Sequence, residues 1–231
     1  RQKTCVLMDG NVLLMAVPEA VCTASAYEDV VFNQVRSAVS AGIVVVVVFD
    51  EPDALTYAKR EEQQRRDEQR KARSVVCSED LVGMEESLQE FTVEELDRMD
   101  NVHLLKENRI CRMRFYDEIC RRVFRRLSRL MNEQWPANGV KHPGCIVFDG
   151  VDIRGAQRPK GEDRIVQMVG SDPAMTLALT RSKPIGEGDI KLVAVENTLR
   201  GMIAAGDPSA DLLELCITCT IDTDSLMTML L

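Results

Sequence analysis

"IVVVVVFDEPD", residues 43–53, is the stretch whose reading decides the fold of this 231-residue chain. Seven apolar residues, five of them consecutive valines, run unbroken to Asp50. A continuous β-branched run, rather than an alternating one, suits a strand covered on both faces of a sheet. It is far too short to span a bilayer. The same pattern recurs on either side. "TCVLMDG" (4–10) reads as a buried strand ending in Asp9, and "CIVFDG" (145–150) as one ending in Asp149. Near the end of the chain, the β-branched run from Cys216 to Ile221 leads into Asp222 and Asp224.

Helical patterns fill the intervals. "YEDVVFNQVRSAVSAG" (27–42) has apolar residues at helical spacing and stops at Gly42, and residues 55–73 are helical. "TVEE" from Thr92 to Glu95 is a capping-box pattern. Residues 110–131 are amphipathic, with Tyr116, Ile119, Val123, Leu127 and Leu130 on one face. "WPANGVKHPG" (135–144) is a turn-rich break, 151–164 a polar loop, "AMTLALT" (174–180) a further strand, and 184–206 a loop leading into a helix. Alternating strands and helices predict an α/β fold, a mostly parallel central sheet flanked by helices, in a single domain spanning 1–231.

In such sheets functional residues gather at the carboxyl ends of the strands. Here those ends carry Asp9, Asp50, Asp222 with Asp224, and Asp149. "GEGD" adds Glu187 and Asp189 at a helix start, where the glycines let both carboxylates turn into one cleft. Strand alternation puts Asp222 and Asp224 on the same side, where they repel unless neutralised. Hard oxygen donors in this number suit Mg²⁺ or Mn²⁺ rather than zinc. Two such ions about 4 Å apart activate a water and stabilise the leaving oxygen in phosphodiester cleavage. Taken singly each signal has a plainer explanation. A strand-terminal aspartate commonly caps the next helix, and acids at a helix start favour its dipole. Their order and convergence carry the argument.

The net charge is −8, but it is segregated. Residues 59–73 hold seven basic residues against four acidic, and 109–129 hold eight arginines against two acids. Residues 78–100 between them are acidic. A basic helical face could track the phosphates of a single strand. The plainer reading is solvated arginines, or arginines paired with the acidic segment, and i,i+4 pairing within 59–73. Aromatic residues make up 4% of the chain, too few for a rich base-stacking platform, and Trp135 reads as a packing residue. His103 and His142 carry no catalytic signal. The eight cysteines lack histidine companions at zinc spacing and read as reduced core residues of an intracellular, reducing compartment. No secretory signal opens the chain and no membrane partner is expected.

These motifs together resemble the PIN-like 5′ nuclease superfamily, which includes flap endonucleases and XRN-type 5′→3′ exoribonucleases. "VLMDGNVLLM" is similar to the family's first strand with its metal-binding aspartate, here Asp9. "GIVVVVVFDEPDALTYAKREEQQRRDEQRKA" resembles the second strand and the Lys/Arg/Glu-rich helix after it, with Asp50 as second aspartate. "PIGEGDIKL" resembles the exoribonuclease signature that supplies an acidic pair, here Glu187 and Asp189, and "CTIDTDSLM" the next strand with its D-x-D, Asp222 and Asp224. The "DTDSLM" tail is also similar to flap-endonuclease-like proteins encoded by large DNA viruses.

The resemblance implies a two-metal nuclease using Mg²⁺ or Mn²⁺ at Asp9, Asp50, Glu187, Asp189, Asp222 and Asp224. It implies a DNA or RNA partner with a 5′ end or flap. It makes 52–140 a helical, arch-like insertion, with Lys59 and Arg60 at the scissile phosphate and Arg114, Arg121, Arg122 and Arg125 along the strand. The family's final metal aspartate and its DNA-binding helical motif would lie beyond residue 231. Glu51 stands where the family usually has glycine, Asp189 where it has glutamate, and "FDG" at 148–150 makes Asp149 a rival to Asp50. Two other readings stand beside this one. The first is a weakly active or inactive nuclease-like component of a larger particle. The second is a magnesium phosphohydrolase, which lacks its usual D-x-D at the first strand.

Overall fold

The valine run forms β2 (Val44–Val48), and every side chain in it is buried, as a strand covered on both faces requires. The computed structural model describes residues 3–40, 44–50, 57–74, 91–106, 108–139, 144–150, 166–170, 172–182, 188–210 and 213–219. β2 is the central strand of a five-stranded sheet in the order β4-β3-β2-β1-β5. β1 (Lys3–Asp9), β3 (Ile146–Asp149) and β5 (Leu213–Cys219) run parallel with β2. β4 (Val166–Val169) lies antiparallel to β3 at one edge. The protein is thus α/β with a mostly parallel sheet.

Helices cover both faces. α1 (Gly10–Met15) follows β1 directly, and α2 (Ala24–Ser40) leads on to β2. After β2 come α3 (Tyr57–Ser74), the short α4 (Val93–Arg98) and the long α5 (Arg109–Arg129). α2 and α5 pack together over one face, where Tyr27, Val35, Phe115, Ile119, Val123 and Leu127 meet Val45, Val47, Phe49 and Phe148. α6 (Pro173–Ser182) and α7 (Gly188–Ala204) cover the other face, against Cys5, Leu7, Val44, Val46, Val48 and Val147. Each fully buried aliphatic side chain contributes about 2 kcal/mol.

α5 matches the expected amphipathic helix. Ile119, Val123, Leu127 and Leu130 are buried and Tyr116 is half-buried at its margin. The segment 52–140 is therefore not uniformly peripheral, because α5 closes the core, whereas α3 is largely exposed. Thr92 and Glu95 form the reciprocal capping box at the start of α4.

The expected strand at 174–180 is instead helix α6. Asp172 accepts the Met175 N–H at 3.0 Å, Pro173 opens the first turn, and Ala174, Met175, Ala178 and Leu179 form a buried stripe at helical spacing. Cap, proline and stripe together outweigh an apolar composition that a strand could share. Of the described cysteines, Cys5, Cys111, Cys120 and Cys145 are buried and Cys22 is half-buried. Cys216 and Cys219 have C-x-x-C spacing on β5, and their side chains lie outside the described residues. Among the described residues, no helix is long and apolar enough to cross a membrane.

Candidate functional site

Three strand ends bring carboxylates to one edge of the sheet. Val48 of β2 pairs with Asp9 of β1 on one side and Asp149 of β3 on the other, so these two stand level, with Asp50 two residues further on. Cys5 and Leu7, then Val44, Val46 and Val48, then Cys145 and Val147, face α6 and α7. Val45, Val47, Phe49, Ile146 and Phe148 face the opposite way. Asp9, Asp50 and Asp149 continue the first series and so belong to the face under α7.

Asp9 is buried and caps α1, its Oδ1 accepting the Asn11 N–H at 2.8 Å. The plain capping role is therefore real, and it coexists with the strand-end position. Asp50 is half-buried, and its Oδ1 accepts the Gly188 N–H at 2.8 Å. The first amides of a helix lack intrahelical acceptors, and a carboxylate suits them in both hydrogen bonding and charge. This contact seats the start of α7 on the end of β2. A Cβ at Gly188 would come within 3.3 Å of that same oxygen, so a larger residue there would press on the carboxylate.

Asp149 is fully buried and stands 3.5 Å from the Nζ of Lys191, itself fully buried on α7. Lys191 also donates to the Phe49 carbonyl at 3.0 Å. Gly150 leaves room for this arrangement. Its φ is +98°, and a Cβ there would lie 2.6 Å from the Phe49 oxygen and 3.0 Å from the lysine nitrogen. Gly10 is constrained as tightly, because a Cβ would overlap the Phe49 ring. Lys191 is the residue that sequence reasoning missed. Its signal is positional: it lies on the buried stripe of α7 with Leu192, Val195 and Leu199, where an apolar side chain is the norm.

Of the other expected ligands, Asp189 lies in the first turn of α7, with its side chain outside the described residues. Glu187, Asp222 and Asp224 lie outside the described residues altogether. Among the described residues no three His, Cys, Asp or Glu side chains form a group that could hold a metal ion.

The arginines of α5 divide into two sets. Arg122 bonds Glu118 at 3.1 Å and Asp97 at 2.5 Å, and Arg121 reaches Glu118 at 3.4 Å. Burial works against the Arg122 charge, but these carboxylates outweigh it and raise its pKa. Arg126 meets Asp29 at 2.5 Å and lies 3.9 Å above the Phe32 ring. Arg114 sits 5.4 Å from the Phe91 ring, and Arg125 is exposed. On α3, Arg60 is exposed, the Lys59 side chain is outside the described residues, and Arg66 pairs with Glu62 one turn away. Half-buried Trp135 packs on the core, and His103 Nε2 lies 3.0 Å from the Val21 carbonyl oxygen. Comparison of the chain with family models, with curated proteins and with solved structures gives no match.

Proposed function

We propose that the carboxyl edge of β1, β2 and β5 is the active site of a divalent-metal-dependent 5′ nuclease acting on phosphodiester bonds of DNA or RNA, of the PIN-like kind. The observation that carries this reading is the position of β5. It pairs in parallel with β1, with Cys219 level with Met8, so the last described residue of β5 stands next to the end of β1 that carries Asp9. Asp222 and Asp224 follow Cys219 by three and five residues, a reach of at most about 11 Å and about 18 Å. β2 and β3 lie on one side of β1 and β5 on the other, which makes the β1/β5 boundary the switch point where α/β sheets open a crevice. The Gly188–Asp50 contact ties the start of α7 to the same edge, and Glu187 and Asp189 flank Gly188 in the sequence.

The carboxylate oxygens of Asp9 and Asp50 fit hard cations such as Mg²⁺ or Mn²⁺. Bound there with Glu187, Asp189, Asp222 and Asp224, two such ions would supply an activated water and charge stabilisation for the leaving oxygen. The chain's own part is to hold those carboxylates on a rigid sheet edge and to guide the strand. α3 starts seven residues after Asp50, so exposed Arg60, with Lys59, can meet the scissile phosphate. In this reading α3 belongs to an arch over the site, and exposed Arg125 contacts phosphates further along. The test is cleavage of 5′-labelled single-stranded and flapped DNA and RNA with Mg²⁺, Mn²⁺ or EDTA. Cutting that needs metal and is lost in Asp222→Asn supports the proposal; cutting that Asp222→Asn retains contradicts it.

A second reading has one observation in its favour. Arg121, Arg122 and Arg126 are engaged by acids of the same chain, which weakens the expected grip on nucleic acid. A nuclease-like domain serving as a component of a larger assembly would need no such grip. It predicts a folded protein that cuts none of these substrates.

A further inference from the structure

We propose that Lys191 is a positioning residue that sets the placement of Asp50 for a divalent cation; the inference rests on the metal-dependent reading above. A lysine is almost never fully buried, because stripping water from an ammonium costs several kcal/mol unless partners replace it. Lys191 is fully buried, and its partners belong to two adjacent strands at the carboxyl edge: the Phe49 carbonyl after β2 and the Asp149 carboxylate ending β3. A buried ion pair is a poor device for stability, since apolar side chains of similar volume serve as well or better. Its value lies in geometry.

That geometry converges on Asp50. The carbonyl held by Lys191 belongs to the planar peptide unit linking Phe49 to Asp50, so holding its oxygen also orients the Asp50 nitrogen and Cα. The Asp50 side chain is held by the N–H of Gly188, three residues earlier on α7. One helix therefore grips Asp50 twice, once through its backbone and once through its carboxylate. Gly150 keeps the path clear, since any Cβ there would crowd both the Phe49 oxygen and the lysine nitrogen. The pair also separates the two rival aspartates. Asp149 has an internal cation beside it, which leaves Asp50 as the β2-side carboxylate for an external one.

The experiment is Mn²⁺ binding to the full chain, read by the EPR spectrum of bound Mn²⁺. The wild type is compared with Asp50→Asn and with two neutral replacements of the pair, Lys191→Met/Asp149→Asn and Lys191→Met/Asp149→Leu. Lys191→Met alone would strand a buried carboxylate and unfold the protein, whereas the neutral pairs leave no lone charge. Loss of an outer-shell partner weakens metal binding about 10-fold to about 100-fold. The expected result is a cooperatively folded double variant with Mn²⁺ affinity reduced at least about 10-fold and a changed spectrum. Unchanged affinity and spectrum in a folded double variant overturn the assignment. Failure of both double variants to fold also overturns it, since a purely structural role is then what remains. If the wild type binds no Mn²⁺ and Asp50→Asn behaves identically, the nuclease reading itself falls, and this inference with it.

Discussion

Phe49 links the hydrophobic core to the carboxylate edge in a single residue. Its ring lies 5.8 Å from that of Phe148 and covers Gly10, its carbonyl receives Lys191, and its peptide bond leads to Asp50. Gly10→Ala must therefore displace the ring, at a cost of about 1–3 kcal/mol in urea unfolding, and disturb Asp50 through the backbone. The expected signature is a loss of Mn²⁺ affinity beyond that of an equally destabilising core variant. Tyr27 makes a second prediction. It is buried, its hydroxyl donates to the Leu14 carbonyl, and burial, reinforced by Tyr116, pushes its pKa up. A pKa raised on folding gives stability that is complete below the unfolded value of about 10 and is lost as pH rises beyond it. Urea unfolding between pH 7 and 11 should show that alkaline loss, and Tyr27→Phe should make it shallower. Asp9 and Asp50 were legible in the sequence because each ends an unbroken apolar run. Lys191 was not, because a lysine within a helical pattern reads as a solvent-facing residue until packing shows otherwise.

Among the helices, α3 and α5 carry similar basic runs to different ends. α5 lays an apolar stripe on the core and pairs several of its arginines with acids of α2, α4 and its own turns. Arg122→Ala should consequently act on stability, by about 2 kcal/mol, because Glu118 loses a partner while nearly buried. It should leave nucleic-acid affinity per folded molecule unchanged. α3 is largely exposed, with Gln64–Glu68 and Glu62–Arg66 contacts along its own surface and Asp67 meeting Arg112 of α5 at 3.1 Å. Arg60→Ala with Arg65→Ala should spare the melting temperature, weaken single-strand binding and lower its salt slope by about 0.7 per lost phosphate contact. Charge counts alone could not separate these helices, because the sequence shows how many arginines there are and packing decides which of them meet acids. α6 shows the same limit. Its short apolar run suits strand or helix, and what decides is the Asp172 cap with Pro173 and the match of its stripe to the sheet.

At the scale of the whole molecule, alternating patterns sufficed to show an α/β protein, and the strand-terminal aspartates singled out the edge where Asp9 and Asp149 stand level. Strand order is a different matter. Nothing local in "LELCITC" says that β5 inserts beside β1 rather than at the far edge, nor that β4 pairs antiparallel with β3. That order is what makes β1 and β5 neighbours, with Met8 level with Cys219 at the carboxyl edge. The central claim is that this edge binds a divalent cation through residues from both ends. The most direct measurement is the Mn²⁺-induced rise in unfolding free energy of the wild type, Asp9→Asn and Asp222→Asn. Asparagine caps a helix as well as aspartate does, so Asp9→Asn keeps α1 while removing a charge. The account predicts about 2.7 kcal/mol of stabilisation for the wild type at a hundredfold excess of Mn²⁺ over its dissociation constant. It predicts that most of this is lost in each variant, whereas wild-type stabilisation retained in either one would contradict the account.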